Sequence, residues 1–248
     1  MKKMTIINSD KRMEYLKEYF SENYDISEKM ESKGSDYIIL PLPCSRDGKT
    51  ICGTDGKLNF DDLKKYLKKD GIIFGGKIPE KVKITLEKDK IIWYDYFNEE
   101  TEQKNAAATA EGVVKILIEN TPAMLSEQKI LLIGAGRITE YLAPLLKAFG
   151  SDIAIATSSS VKKAKIKMHG FKAVDIEKVT ETVSDYNICV NTSPCFKIDV
   201  GKIDKCKDLL YVELALKYEE NDIENAHKKS INILCAPGIP TVYSRWHS

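Results

Sequence analysis

Lys129-Ile-Leu-Leu-Ile133 runs directly into Gly134-Ala135-Gly136-Arg137-Ile138-Thr139, so two glycines stand one residue apart between an apolar run and an amphipathic stretch ending near Phe149-Gly150. Strand, glycine turn and helix in that order are what a dinucleotide pyrophosphate needs. Gly134 permits the tight turn and Gly136 lets backbone approach phosphate. The N–H groups at the helix start, around Ala135, Arg137 and Ile138, then bind the charge. Thr139 stands at the third glycine position, where its side chain is expected to push the helix slightly off the strand, and Pro144 removes one helical hydrogen bond. At the end of the next apolar run, where a carboxylate would take the ribose hydroxyl of NAD, the chain reads Ala156-Thr157-Ser158-Ser159-Ser160-Val161-Lys162-Lys163. The hydroxyls of Thr157, Ser158 and Ser159 and the ammonium of Lys162 suit a 2′-phosphate, and Arg137 could reach that group or the pyrophosphate. NADP is the expected cofactor, with NAD as the alternative. Lys162 and Lys163 read equally well as solvated helix residues.

Two further loops, Asn191-Thr192-Ser193-Pro194 and Ala236-Pro237-Gly238-Ile239-Pro240, follow apolar runs and would face the nicotinamide end of the cofactor, with plain proline and glycine turns as the alternative. Near the N-terminus, Cys44-Ser45-Arg46-Asp47-Gly48 puts Ser45 and Arg46 where a parallel sheet holds an anionic ligand, though Asp47-Gly48 alone would make a solvated turn. Thr109 could cap an inner start of the helix Ala106–Asn120 and aim its positive end, with Glu111 in the same turn, at an interdomain cleft. Capping and nothing more is the simpler alternative. The six cysteines form no C-x-x-C pair and have no histidine at ligand spacing, so no metal site is expected and the thiols read as reduced and mostly buried. None of the three histidines, His169, His227 and His247, has the setting of a catalytic base.

The elements that must position these groups alternate. Over the first ~100 residues, short apolar runs (Thr5–Ile7, Tyr37–Leu40, Ile72–Phe74, Ile91–Tyr94) are separated by amphipathic stretches such as Asp10–Phe20 and Phe60–Lys69. After the glycine turn the runs continue at Asp152–Ala156, Phe171–Val174, Asn187–Val190, Leu209–Glu213 and Ile231–Leu234. Such alternation predicts an α/β fold of two doubly wound parallel sheets: a flavodoxin-like, substrate-side domain over 1–105, a linking helix over 106–120, and a Rossmann NAD(P)-binding domain over 121–248.

A net charge of +1, 43% apolar and 30% charged residues describe a globular protein with no electrostatic footprint for nucleic acid. The basic opening Met1-Lys2-Lys3 loses its apolar run at Asn8-Ser9-Asp10, and no segment approaches a membrane span, so a cytoplasmic location is expected.

Taken in order and spacing, Ile39-Leu40-Pro41-Leu42-Pro43, Asp47-Gly48, Gly75-Gly76, Asn105-Ala106-Ala107-Ala108-Thr109-Ala110-Glu111-Gly112, Glu119-Asn120-Thr121-Pro122, Gly134-Ala135-Gly136-Arg137, Asn191-Thr192-Ser193-Pro194 and Ala236-Pro237-Gly238-Ile239-Pro240 resemble the dipicolinate synthase family, in its A-type subunit, over nearly the whole chain. The resemblance implies a two-domain dehydrogenase fold and NADP-dependent oxidation of a dihydrodipicolinate-type precursor to the pyridine dicarboxylate. It also implies a flavoprotein-like second subunit of dipicolinate synthase as partner, a homo-oligomer, and the mother-cell cytoplasm of a sporulating bacterium. Glu111 is the expected proton acceptor, with Thr109, Ser45, Arg46 and Arg245 orienting a small dicarboxylate. Departures stand at Ala107-Ala108, Thr139 and Thr241, Arg245 replaces a family lysine, and the chain reads as a C-terminally shortened member. The competing expectations are a non-catalytic protein for NAD(P) binding or assembly and a shikimate- or hydroxy-acid-type dehydrogenase.

Overall fold

Apolar runs of four or five residues must satisfy their backbone groups by pairing, and where helices separate them the pairing is parallel. The computed structural model describes residues 1–30, 34–203 and 206–239 and divides into two units between Glu102 and Gln103.

The first unit runs β1 (Lys3–Ile6), α1 (Lys11–Phe20), β2 (Asp25–Ser27), β3 (Ser35–Ile39), α2 (Leu63–Tyr66), β4 (Leu67–Gly75), α3 (Glu80–Lys88) and β5 (Ile92–Asp95). Its strands lie in the order β2-β1-β3-β4-β5, all parallel, the flavodoxin-like order in which the winding reverses between β1 and β3. Successive side chains point to opposite faces, so Ile39 joins Met4, Ile6 and Met13 of α1 while Ile38 and Ile73 lie with Leu63, Val82 and Leu86. Two elements differ from the sequence expectation. The short β2 has one aliphatic residue and therefore no periodic signal. The amphipathic stretch from Phe60 stops being helical at Tyr66, because Leu67 is already extended and pairs with Ser35.

The chain then enters α4 (Glu99–Asn120), which begins at Glu99 rather than Ala106 and carries Glu99, Glu100 and Glu102 in its first turn, where carboxylates complement the helix dipole. From Gln103 on it belongs to the second unit, and Ala110, Val113, Ile116 and Leu117 are buried in that unit's core.

The second unit continues through β6 (Lys129–Ile133), α5 (Arg137–Ala148), β7 (Asp152–Thr157), α6 (Ser160–Met168), β8 (Lys172–Asp175), α7 (Val179–Thr182), β9 (Ile188–Asn191), β10 (Leu209–Glu213), α8 (Glu220–Lys228) and β11 (Ile231–Cys235). The all-parallel order β11-β10-β9-β6-β7-β8 is the Rossmann order, reversing between β6 and β9. Strands buried on both faces read as continuous apolar runs, and β6, β9 and β10 are such strands. Helix α5 runs on through Pro144. No helix among the described residues is long and apolar enough to cross a membrane.

Candidate functional site

Because β6 and β9 are neighbours at the point where the winding reverses, the loops leaving their carboxyl ends meet. Gly134 has φ +103, and a Cβ there would stand 2.7 Å from Thr192 Oγ1 and 3.2 Å from Ser193 Cβ, so backbone conformation and packing both require glycine. Gly136 is different. It is the N-cap of the 12-residue α5, is exposed, and a Cβ added to it would meet nothing within 4 Å. The first turn-closing bond of the helix runs from Glu140 N to Gly136 O at 3.1 Å, and the N–H groups ahead of it head into that opening. The arrangement is a positive helix end approached over bare backbone, which is what a pyrophosphate requires.

Thr139, in place of a third glycine, is a tie and not the wedge expected from its size. Its hydroxyl is buried, donates to Gly134 O at 2.8 Å and lies 3.1 Å from Thr192 Oγ1, which itself donates to Ile133 O at 3.0 Å. Helix α5, the glycine turn and the loop after β9 are thereby joined by two hydroxyls.

At the end of β7, Thr157 is buried and accepts from Ser159 N at 3.3 Å, and Ser159 caps α6 by accepting from Lys162 N at 3.3 Å. Ser158, Ser160 and Lys162 are exposed polar groups there. Lys163 turns to Asp175 at 2.6 Å, and its hydrogen bond holds the Asp175 carboxyl below the usual carboxylate value.

Asn191 is the last residue of β9 and is fully buried, which corrects the expectation that it faces the cofactor. Its Nδ2 donates to Phe196 O at 2.8 Å and Glu213 Oε2 at 2.9 Å, and its Oδ1 accepts from Ser193 N at 3.0 Å. Every polar atom of its side chain is spent on holding the loop. Ser193 is half-buried, while Pro237 and Gly238, the latter at φ +75, are exposed beyond β11. Glu213 is a residue that motif and spacing do not single out. The available signal is an acidic residue ending the otherwise apolar run Leu209-Leu-Tyr-Val-Glu213.

In the first unit the segment at 45–50 is closed on itself. Ser45 Oγ donates to Asp47 Oδ1 at 3.0 Å and accepts from Gly48 N, and Asp47 also accepts from Lys49 N, Thr50 N and Thr50 Oγ1, each at 2.8 Å. Those backbone donors push the Asp47 carboxyl well below its ordinary range. The solvated-turn alternative thus describes Ser45, while Arg46 is exposed. Cys44 is buried, and burial pushes its thiol up to about 12, which removes it as a nucleophile. Cys189 and Cys206 are also buried, Cys52 is half-buried and Cys195 and Cys235 are exposed, so the cysteines are less uniformly interior than expected.

Thr109 caps no helix start. It lies midway along α4, 6% exposed, with its hydroxyl donating to Asn105 O at 2.7 Å, so no helix terminus is aimed from this position. Glu111 sits on the exposed side of the same helix. Arg245 lies outside the described residues.

A sheet in Rossmann order with a glycine turn at its reversal point, joined in one chain to a flavodoxin-like sheet, defines a two-domain α/β protein of the dinucleotide-dehydrogenase fold class. The solved phosphoglycerate oxidoreductase of Vibrio cholerae o395 has this fold, with a TM-score of 0.61 at 14% identity over 99% of this chain and 93% of its own. Within that class the fold match is higher to the dipicolinate synthase A-type subunit of Bacillus halodurans, with a TM-score of 0.74 at 18% identity over 98% and 92% of the two chains. In sequence, the dipicolinate synthase A-type subunit of Bacillus subtilis (strain 168) is 27% identical over 139 residues, 56% of this chain and 47% of that protein, so the aligned part spans about half of the relative's length. No family model matches the chain. The motifs that resemble the dipicolinate synthase family thus have a sequence similarity over about half of the chain beside them, and the solved structures share the fold.

Proposed function

We propose that the chain is an NADP-dependent oxidoreductase of the dipicolinate synthase type, acting on a dihydrodipicolinate-type dianion. The observation that carries the cofactor half is the open backbone at Gly136, where an added Cβ meets nothing and the first turn of α5 faces the gap, next to a turn that Gly134 alone can make. The residues fit the group: the first turn of α5 holds pyrophosphate, and Ser158 with Lys162 faces a 2′-phosphate where NAD would call for a carboxylate. When bound, NADP supplies a hydride acceptor, and loss of hydride and proton from a dihydropyridine ring leaves an aromatic product.

The chain's own residues supply orientation and proton transfer. Glu111 takes the ring proton at its carboxylate oxygen. The Thr192–Ser193 loop and the turn at Pro237-Gly238 line the nicotinamide side. On the family resemblance, the chain works with a flavoprotein-like second subunit, as a homo-oligomer, in the cytoplasm of a sporulating cell.

Calorimetric titration with NADP and NAD, each with and without dipicolinate, tests the reading. The expected result is micromolar binding that prefers NADP and tightens with dipicolinate. Absence of binding by both nucleotides overturns the cofactor assignment. For the proton acceptor, Glu111→Gln is expected to lower kcat about a hundredfold with NADP affinity unchanged, and unaltered turnover removes Glu111 from the role.

A further inference from the structure

We propose that Glu213 is a positioning residue for the dinucleotide site, acting through Asn191 on the Thr192–Ser193 loop. The inference rests on the assignment of that loop to the cofactor made above. Glu213 ends β10 with no solvent exposure. A buried carboxyl group is costly unless its oxygens are bonded, and an apolar side chain would fill the place without that cost. Here the oxygens are used on two loops at once. Oε1 accepts from Ala215 N at 2.9 Å and Leu216 N at 3.0 Å, fixing the chain after β10. Oε2 accepts from Asn191 Nδ2 at 2.9 Å, fixing the chain after β9.

Asn191 passes the constraint on. With Nδ2 shared between Glu213 and Phe196 O, its oxygen is left facing Ser193 N, which it holds at 3.0 Å. Ser193 N and Cβ are the atoms that, with Thr192 Oγ1, crowd the place of a Gly134 Cβ, at 3.3 and 3.2 Å. A two-step path of hydrogen bonds thus runs from Glu213 to the wall of the glycine turn, and all of it lies behind the surface that a dinucleotide would meet. The orientation of the Asn191 amide follows from its partners: reversed, it would point an oxygen at the Glu213 carboxylate and a donor at Ser193 N.

Glu213→Gln keeps the shape and replaces one acceptor by a donor. The new amide must face Asn191 Nδ2 or the N–H groups of Ala215 and Leu216 with its own N–H, so one arm of the network breaks. The expected result is NADP binding weakened about tenfold. Asn191→Asp alone gives up the bond to Phe196 O and sets two carboxylates face to face, so it binds weakest; adding Glu213→Gln puts a donor opposite the new carboxylate, which still accepts from Ser193 N, and is expected to recover part of the affinity that Asn191→Asp loses. Glu213→Asp, which keeps the acceptor but is one methylene too short to serve both arms, is expected to weaken binding about fivefold and covers the case in which the amide variant fails to fold. Titrations with NADP and NAD, alongside circular dichroism, decide the outcome. Affinity in the Glu213 variants equal to that of the wild type overturns the positioning role, as does a double variant no better than Asn191→Asp alone. If the wild type binds neither nucleotide, the functional reading itself fails, and this inference with it.

Discussion

Each sheet has a polar, glycine-containing loop at its carboxyl edge beside the point where the winding reverses, yet the two loops spend their polar groups in opposite ways. In the first unit, Ser45, Asp47, Gly48 and Thr50 bond to one another, so their own donors are turned inward, away from an anion. In the second, Thr139, Thr192, Asn191 and Glu213 bond behind the turn and leave backbone open at Gly136. Polar residues at a strand's end therefore do not by themselves make a binding edge. What distinguishes one is a loop braced from the rear with bare backbone in front, because main-chain N–H groups then face outward at no cost to the protein's own hydrogen bonding.

The difference can be broken most sharply at the glycines. Gly134→Val places a branched side chain at φ +103 against Thr192 Oγ1, and the expected outcome is loss of dinucleotide binding beyond about a hundredfold, with about 1–3 kcal/mol lost in denaturant unfolding. The Cβ of Gly136→Val meets no protein atom within 4 Å, so the variant should lose much less stability than Gly134→Val, no more than a poorer N-cap costs, while affinity falls about tenfold. Equal destabilisation by the two changes would erase the distinction between a glycine needed for folding and one needed for approach. Next in size, Lys162→Ala should weaken NADP about fivefold and leave NAD unaffected; parallel losses for both nucleotides would take Lys162 away from the 2′-phosphate.

The smallest effect belongs to the closed loop. Asp47 has a carboxyl held below its ordinary value of 3.8 by the Lys49 and Thr50 N–H groups, so its contribution to stability is present above that value and fades as pH falls through the lower folded-state value. Asp47→Asn should melt below wild type at neutral pH, approach it under acid, and bind dinucleotide unchanged. A melting difference that persisted at low pH would show that the loop's order does not depend on that carboxylate.

Several elements are legible from sequence because their causes are local. Apart from β2 and the early start of β4, the strands fall within a residue or two of their apolar runs, and the glycine turn declares itself through residues adjacent in the chain. The start of helix α4 is not legible in this way: Glu99–Asn105 is polar throughout and offers no periodicity, and helix formation there follows from the carboxylates at its positive end together with the buried turns further on. Thr109, which sequence pattern sets near a terminus, therefore stands in the middle of a helix.

The amino-acid sequence alone determined the two βα alternations, the position of the glycine turn and the absence of a carboxylate at the end of β7, since each rests on neighbours in the chain. Only the tertiary structure decided what Thr139, Asn191 and Glu213 do. Their partners lie 53 residues away for Thr139 with Thr192 and 22 for Asn191 with Glu213. No periodicity encodes such a pairing, because it exists only once parallel strands distant in sequence have come to lie side by side.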